Sequence, residues 1–520
     1  MTEPRCRWPR LSELAAEVPG AVAPVDVVVS GITHDSRQVR PGWLFCAIKG
    51  HRSDGRHYAQ DAADRGAAAL MVDHPLEIDL PQLLVPSVRT GIGPIASALF
   101  GRPSNDLDIA GITGTNGKTT TAYLLEHVFE TAGWKAGLIG TVETRLAGHG
   151  TPSILTTPEA PDLQRSLASM VTAGVKAVAM EASSHALDQH RIDGTIVQVG
   201  VFTNLTSEHL DYHGTIEQYY YSKSQLFTPD RCKRAVVCVD DEWGRRLAHQ
   251  SPVPTVTFGT SPWADARVQV IAADLNGTRF LLSWEGADID LTTPLVGRWN
   301  ALNAAAAFLA ATAMGVPEAS AIRGIATCHQ VRGRFETVDL GQDFLVVVDY
   351  AHTPESLGEL LQTARELALP GAKVHVVVGA RGGRDRFKRP LIGKVAAERA
   401  DHAVFTADSP GAEDPVQIAS QMLAGTLGAP GLPDHKVSIE PDRRAAIREA
   451  ILEAGPGDVV LIVGRGHEVT QHVGDGVVTL DDRAAAADVL LEEGYATHSH
   501  RLCSHMSRLP HDTFAGRHAG

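Results

Sequence analysis

Short apolar runs alternate with polar, glycine-bearing turns along most of this chain, and their spacing predicts an α/β protein. VDVVVSGI, LFCAIKG and AAALMV read as strands, with a helical pattern around Tyr58 to Arg65, which gives a small α/β domain over residues 1–105. From Ile109 the rhythm becomes strand, glycine-rich turn, helix, with later strands at VKAVAME and IVQVGVFTN. That is the pattern of a parallel sheet with crossover helices, here over residues 106–330. A third α/β unit, 331–496, is expected from FLVVVDY, KVHVVVGA, ADHAVFTA and DVVLIVGRGHE. Residues 497–520 mix His, Ser, Arg and Gly without periodicity and are expected to be disordered, their five histidines belonging to a solvated tail.

A length of 520 residues accommodates three such domains. With 43% hydrophobic and 21% charged residues, and no apolar run near the roughly 20 residues that span a bilayer, the composition excludes membrane insertion. Glu13 and Glu17 interrupt what a signal peptide would keep apolar, so a cytoplasmic protein is expected. Cys6, Cys46, Cys232, Cys238, Cys328 and Cys503 contain no C-x-x-C pair, which argues for reduced thiols over a zinc site or disulfide framework. The net charge of −14 argues against nucleic-acid binding, so anionic substrates must be met by local Arg, Lys and helix N-termini.

The chemistry begins at Gly111-Ile112-Thr113-Gly114-Thr115-Asn116-Gly117-Lys118-Thr119-Thr120-Thr121, between a strand-like entry and a helical stretch. Gly114 and Gly117 let backbone amides close around phosphate oxygens, Lys118 supplies a point charge and Thr119 offers a hydroxyl to Mg²⁺. Ile112 stands where the usual G-x-x-x-x-G-K-[ST] loop has its first glycine. Glu181 ends VKAVAME and should emerge at a strand C-terminus, where doubly wound sheets place ligands. Thr203-Asn204-Leu205-Thr206-Ser207-Glu208-His209-Leu210-Asp211-Tyr212-His213-Gly214 then gathers several ligand-type side chains, which favours a catalytic or metal-binding His209.

The T-G-T-N-G-K-T-T string resembles the ATP loop of the Mur ligases, which add amino acids to the peptide stem of cell-wall precursors. The resemblance covers about residues 25 to 490 and is strongest to MurE-type members. It implies a three-domain ligase with a central P-loop sheet and a Rossmann-like C-terminal domain. ATP and Mg²⁺ would be its cofactors and Lys118, Glu181, His209 and Lys223 its catalytic groups. Lys223, in Tyr219-Tyr220-Tyr221-Ser222-Lys223, matches a lysine carbamylated by CO₂ that helps hold a second Mg²⁺, so the implied metal set is Thr119, Glu181, His209 and Lys223. The nucleotide would be met by Gly114, Thr115, Asn116, Gly117, Lys118, Thr119 and Thr120, together with Asn300, Arg334 and Asp349.

For the UDP-linked muramoyl-dipeptide acceptor the resemblance implies Ser36, Thr156, Thr157, Ser183, Gln189 and Arg191, with Gly50-His51-Arg52-Ser53 beside the uridine nucleotide. For the amino acid it implies Arg384, Asp408, Ser409, Gly411, Gly464 and Glu468. The implied reaction is ATP-dependent joining of an amino acid to UDP-N-acetylmuramoyl-L-alanyl-D-glutamate through an acyl-phosphate, by a monomer. One departure stands out: family members adding meso-diaminopimelate carry D-N-P-R where this chain has Asp408-Ser409-Pro410-Gly411. Gly411 offers no planar fork for a distal carboxylate, which predicts an amino acid other than diaminopimelate unless Arg384 or Arg465 compensates. Two other readings compete: a related amide ligase acting on a different carboxylate in secondary metabolism, favoured by D-S-P-G, and a nucleotide-binding scaffold without catalysis. Combining Lys118, Glu181, His209 and Lys223 in one chain argues against the scaffold.

Overall fold

The computed structural model describes residues 7–50, 53–328, 330–427 and 436–495. His51 and Arg52, and the C-terminal tail expected to be disordered, lie outside the described residues. The chain divides into two compact units, Met1–His329 and Gln330–Gly520.

The first unit opens with a four-stranded parallel sheet of β1 (Gly31–Thr33), β2 (Trp43–Cys46), β3 (Ala69–Val72) and β4 (Gln82–Leu84) in that order. VDVVVSGI becomes strand only at its end. Its Asp26 instead accepts from Ser12 N at 3.0 Å and Arg10 Nε at 2.6 Å, tying the preceding segment to the N-terminal helix Leu11–Ala15. Helix Val88–Leu99 starts where Ser87 Oγ caps Thr90 N, and it buries Ile92, Ile95 and Leu99 against Leu44, Met71 and Leu83. Arg89 pairs with Glu159 at 2.6 Å and Ser97 Oγ donates to Gly194 O at 2.8 Å, so this small sheet and the central region pack as one unit.

The central sheet has eleven strands: β5 (Asp108–Thr113), β6 (Ala136–Ile139), β7 (Glu143–Leu146), β8 (His149–Pro152), β9 (Ala177–Glu181), β10 (Val197–Phe202), β11 (Cys232–Cys238), β12 (Thr255–Gly259), β13 (Ala266–Asp274), β14 (Gly277–Trp284) and β15 (Ala287–Thr293). Their order is β15-β14-β13-β12-β11-β10-β5-β9-β6-β7-β8. Strands β13 through β6 in that order run parallel, while β14–β15 and β7–β8 add antiparallel flanks. β5 lies between β10 and β9 and is apolar on both faces, as a strand covered on both sides requires. Thr113 pairs with Phe202 and Ile112 with Glu181, so three strand C-termini end side by side.

The second unit holds β16 (Glu336–Thr337), β17 (Leu345–Asp349), β18 (Val374–Ala380), β19 (His402–Ala407), β20 (Val437–Ile439) and β21 (Val459–Val463), ordered β16-β17-β21-β18-β19-β20. All pairs are parallel except β16–β17. A hairpin of β22 (Thr470–Val473) and β23 (Gly476–Thr479) stands apart from this sheet. The buried pair Arg443–Asp482, with N–O distances of 2.9 and 2.7 Å, joins helix Arg443–Glu453 to helix Asp482–Glu492.

Candidate active site

The loop after β5 turns into helix Lys118–Thr131 at Gly117, whose φ is +86°. A Cβ there would stand 2.3 Å from Asn303 Oδ1, and one on Gly114 would stand 1.9 Å from Thr203 Oγ1, so both glycines are required by close approach. Ile112 lies inside β5 and is buried, which explains why the first glycine of the usual pattern is dispensable: the loop begins two residues later, at Gly114.

Lys118 Nζ donates to the carbonyls of Gly114 and Thr115, both at 2.8 Å, and keeps its charge on the loop. Thr119 Oγ1 donates to Glu181 Oε2 at 3.1 Å. Glu181 is fully buried at the end of β9 and also accepts from Thr141 N at 2.8 Å and Thr141 Oγ1 at 2.9 Å. These are neutral donors, so a buried carboxylate keeps acceptor capacity for a cation. Thr115 bonds Tyr219 at 3.2 Å, Asn116 N donates to Asn204 Oδ1 at 2.9 Å, and Thr120 is buried in the first turn of the helix.

Lys223 enters the same place from helix Ile216–Ser224. The residue is 1% exposed and its amine donates to Gly114 O at 2.7 Å, the carbonyl that Lys118 also uses. Burial, and then the neighbouring Lys118 charge, push its pKa well below the lysine range, against a smaller opposing pull from Glu208. His209 sits at a left-handed turn (φ +56°) with Nε2 3.8 Å from Glu208 Oε2, and its ring meets His185 edge-on at 4.8 Å between centroids. The structure therefore brings Lys118, Thr119, Glu181, Glu208, His209 and Lys223 together at the C-terminal ends of the interior strands β5, β9 and β10. Thr119, Glu181 and His209 offer the oxygen and imidazole donors that could hold Mg²⁺.

In the second unit, Asp349 ends β17 and accepts from Phe335 N at 2.6 Å and Ala351 N at 2.7 Å, with its carboxyl pushed upward by burial. The Arg334 guanidinium lies 4.5 Å from the centre of the Tyr350 ring. Asp408 and Ser409 follow β19 and are buried, and Asp408 Oδ1 has no hydrogen-bond partner among the described residues. Gly464 follows β21, and a Cβ there would lie 3.6 Å from Asp408 Oδ2. Glu468 accepts from Arg381 Nη2 at 2.9 and 2.8 Å, and burial raises its carboxyl.

Three family models match the chain: "Mur ligase family, catalytic domain" over residues 28–101, "Mur ligase middle domain" over 112–311 and "Mur ligase, glutamate ligase domain" over 333–466. UDP-N-acetylmuramoyl-L-alanyl-D-glutamate–2,6-diaminopimelate ligases are among the similar proteins. That of Geobacillus thermodenitrificans is 44% identical over 88% of this chain and 94% of its own length, and that of Streptomyces avermitilis 43% over 92% and 96%. A solved structure of a ligase with that name covers 91% of this chain and 99% of its own, at 28% identity and a TM-score of 0.63. The chain belongs to the Mur ligase family.

In this Mur ligase the segments expected to meet the acceptor interlock around β9. Thr157 is buried and its hydroxyl donates to Glu181 O at 2.8 Å, Thr156 Oγ1 lies 3.1 Å from Thr141 Oγ1, and Ser183 caps helix Ser184–Asp188 by accepting from Ala186 N at 3.2 Å. Arg191 donates to Gln189 Oε1 at 2.7 Å and pairs with Glu159 at 3.0 Å. Ser36 is buried in a short turn of the first sheet's domain.

The structure removes one escape from the Gly411 argument. Arg465 is fully buried and donates to the carbonyls of Asp408, Thr470 and Leu480 at 3.0, 3.0 and 2.9 Å, so its guanidinium is spent on shaping the loop. Arg384 is exposed, and Arg381, which the motifs did not single out, is the arginine that meets Glu468. Sequence reasoning also missed Asn303, which donates to Asn300 Oδ1 at 2.9 Å and abuts Gly117, and Thr141, which anchors Glu181. Neither lies in a motif, and Asn303 is marked only as a polar residue in an otherwise alanine-rich helix.

Proposed function

We propose that this Mur ligase joins an amino acid to UDP-N-acetylmuramoyl-L-alanyl-D-glutamate at the expense of ATP, through an acyl-phosphate, in peptidoglycan precursor synthesis. The observation that carries the reading is the convergence of Lys118, Thr119, Glu181 and Lys223 on the loop after β5. A carboxylate oxygen of the acceptor attacks the γ-phosphorus of ATP, the bond to ADP breaks, and the mixed anhydride forms. The amine of the amino acid then attacks the acyl carbon and loses a proton, and the tetrahedral intermediate collapses to the amide with phosphate leaving. Gly114 to Thr120 cradle the triphosphate and Lys118 offsets the charge on the transferring group. Asn300, Arg334 and Asp349 are assigned to the nucleotide, and Ser36, Thr156, Thr157, Ser183, Gln189 and Arg191 to the acceptor.

Thr119, Glu181 and His209 would hold Mg²⁺, which when bound screens the approach of two anions. Lys223 supports a carbamate reading: burial beside Lys118 pushes its pKa well below the lysine range, which favours the neutral amine that addition to CO₂ requires, and Lys118 would stabilise the resulting anion. Among the described residues no helix is long and apolar enough to cross a membrane, and we assign the activity to the cytoplasm and to a monomer whose domains run over 1–105, 106–330 and 331–496.

The amino acid is the one point at which the similar proteins and the loop geometry diverge. The similar ligases are named for 2,6-diaminopimelate. Here Gly411 stands at φ +57° with nothing within 4 Å of an added Cβ, and Arg465 is committed elsewhere. This favours an amino acid with a terminal ammonium for Asp408 and no distal carboxylate. Phosphate release is to be followed with UDP-N-acetylmuramoyl-dipeptide and alternative carboxylates, each against diaminopimelate, lysine, ornithine and neutral amino acids. Release that depends on the muramoyl-dipeptide supports the acceptor assignment; release only with another carboxylate rejects it.

A further inference from the structure

Away from the loops at the C-terminal ends of its strands, the second unit carries a cluster at the other end of the sheet. His375 is the second residue of β18 and His402 the first of β19, and they are register partners on adjacent parallel strands, so both imidazoles stand on the same face. Their rings are 5.9 Å apart between centroids, at 79°. Glu453 ends helix Arg443–Glu453 and brings Oε2 to 2.9 Å from His402 Nδ1. Glu449, one turn earlier, lies 3.7 Å from His402 Nε2.

We propose that His375, His402 and Glu453 form a binding site for one divalent transition-metal ion of the zinc type. One ligand atom from each of the three lies within 4.8 Å of the others. Tetrahedral ligands about 2.0–2.1 Å from zinc stand about 3.4 Å apart, so closure needs side-chain adjustments of about an ångström. Two imidazoles and a carboxylate suit zinc, cobalt or copper better than Mg²⁺ or Ca²⁺, which prefer oxygen alone.

A second observation points the same way. His375 is 1% exposed and its Nδ1 is buried without a hydrogen-bond partner among the described residues. Its other nitrogen, Nε2, lies 3.2 Å from Asp458 Oδ2, and Asp458 is itself fixed by Lys373 N at 2.6 Å and Gly455 N at 2.8 Å. A carboxylate on one imidazole nitrogen with the other left unsatisfied is the arrangement that orients a histidine for a metal. His402 Nδ1 likewise has no hydrogen bond of acceptable geometry despite its closeness to Glu453. The half-exposed Glu453 gives solvent access, and Glu449 or water would complete the shell. Bound there, the ion would clasp the end of helix Arg443–Glu453 to β18 and β19, a structural role separate from the ligation site.

The test uses the full-length, metal-stripped chain, with excess Mg²⁺ present to occupy oxygen-rich sites. Zn²⁺ binding is measured by equilibrium dialysis, ligand type by the Co²⁺ absorption spectrum, and the unfolding midpoint with and without Zn²⁺. The wild type should bind one tight equivalent and gain a few degrees. Glu453→Gln, at a half-exposed position, should keep its metal-free midpoint and bind at least about tenfold more weakly. His402→Gln should abolish the site. No tight Zn²⁺ binding by the wild type overturns the proposal. So does binding of unchanged stoichiometry and affinity in both variants, which would place the ion elsewhere, for instance on the C-terminal histidines.

Discussion

Glu181 in the first unit and Asp482 in the second are both fully buried carboxylates, and they are held in opposite ways. Asp482 receives two charge-assisted bonds from the equally buried Arg443, so its charge is met within the fold. Glu181 is met by two hydroxyls and one backbone amide. The same contrast separates Arg465, whose guanidinium serves three carbonyls and stands 3.7 Å from the buried Asp482 carboxylate, from Lys223, whose buried amine reaches one carbonyl beside Lys118. Burial alone does not mark function. A buried ionisable group hydrogen-bonded only to neutral partners is a candidate for function, because a ligand or modification can supply the missing counter-charge.

This contrast can be broken by mutation. The largest effect is expected at the paired site: Asp482→Asn strands Arg443 and should cost about 3–5 kcal/mol of stability. Denaturant unfolding should show that loss, while ATP binding by the first unit persists wherever the protein remains folded. Next comes Lys118→Ala, which should lower the ligation rate by about 10²–10³-fold with the fold intact, measured as amino-acid-dependent phosphate release. Undiminished turnover in the folded variant would remove Lys118 from the site.

Lys223→Ala should reduce activity by about 10–100-fold, and short carboxylates added to the assay should restore part of it. Its effect on stability carries the opposite sign. The folded pKa of Lys223 lies below the ordinary 10.5, so as pH falls from 10.5 the unfolded chain takes up a proton that the folded chain refuses, and stability is lost across that window. Lys223→Met should flatten this part of the stability profile; an unchanged slope immediately below pH 10.5 would show that folding does not lower the pKa of the buried amine. The smallest effect concerns specificity. Ser409→Asn/Gly411→Arg should shift kcat/KM toward diaminopimelate by tens of times, the equivalent of one charge-assisted bond of about 1.5–3 kcal/mol. The left-handed backbone at Gly411 will hold the gain down, although nothing lies within 4 Å of an added Cβ. A wild type that already prefers diaminopimelate, with no change in the double variant, would return the chain to the specificity of the similar ligases.

The contrast also explains what could be read before any coordinates. The phosphate loop was legible because Gly114 to Thr120 are contiguous and their chemistry is local. Glu181 was legible because a strand followed by Ala182-Ser183-Ser184 delivers a carboxylate at a predictable place. Long-range support was not: Thr141 reaches Glu181, and Asn303 the loop, only through the folded sheet, and nothing in their neighbourhoods announces it. Arg465 looked available as a substrate clamp because sequence does not show that three carbonyls claim its guanidinium. The flanks β7–β8 and β13–β15 escaped because strands such as Ala266–Asp274 expose much of their length and lack the continuous apolar run of a central strand. Cross-strand partners such as His375 and His402 are separated by an entire helix in the chain, so their meeting is a property of register alone.

The central claim, phosphoryl transfer to the acceptor carboxylate at the Lys118 loop, is tested most directly by an oxygen label. UDP-N-acetylmuramoyl-L-alanyl-D-glutamate carrying ¹⁸O in its glutamate carboxylates is to be turned over with ATP and the preferred amino acid, and the released phosphate analysed by mass spectrometry. An acyl-phosphate route places one ¹⁸O atom in phosphate for each amide formed, with ADP as the other product. Phosphate free of the label, or AMP and pyrophosphate in place of ADP, would contradict it.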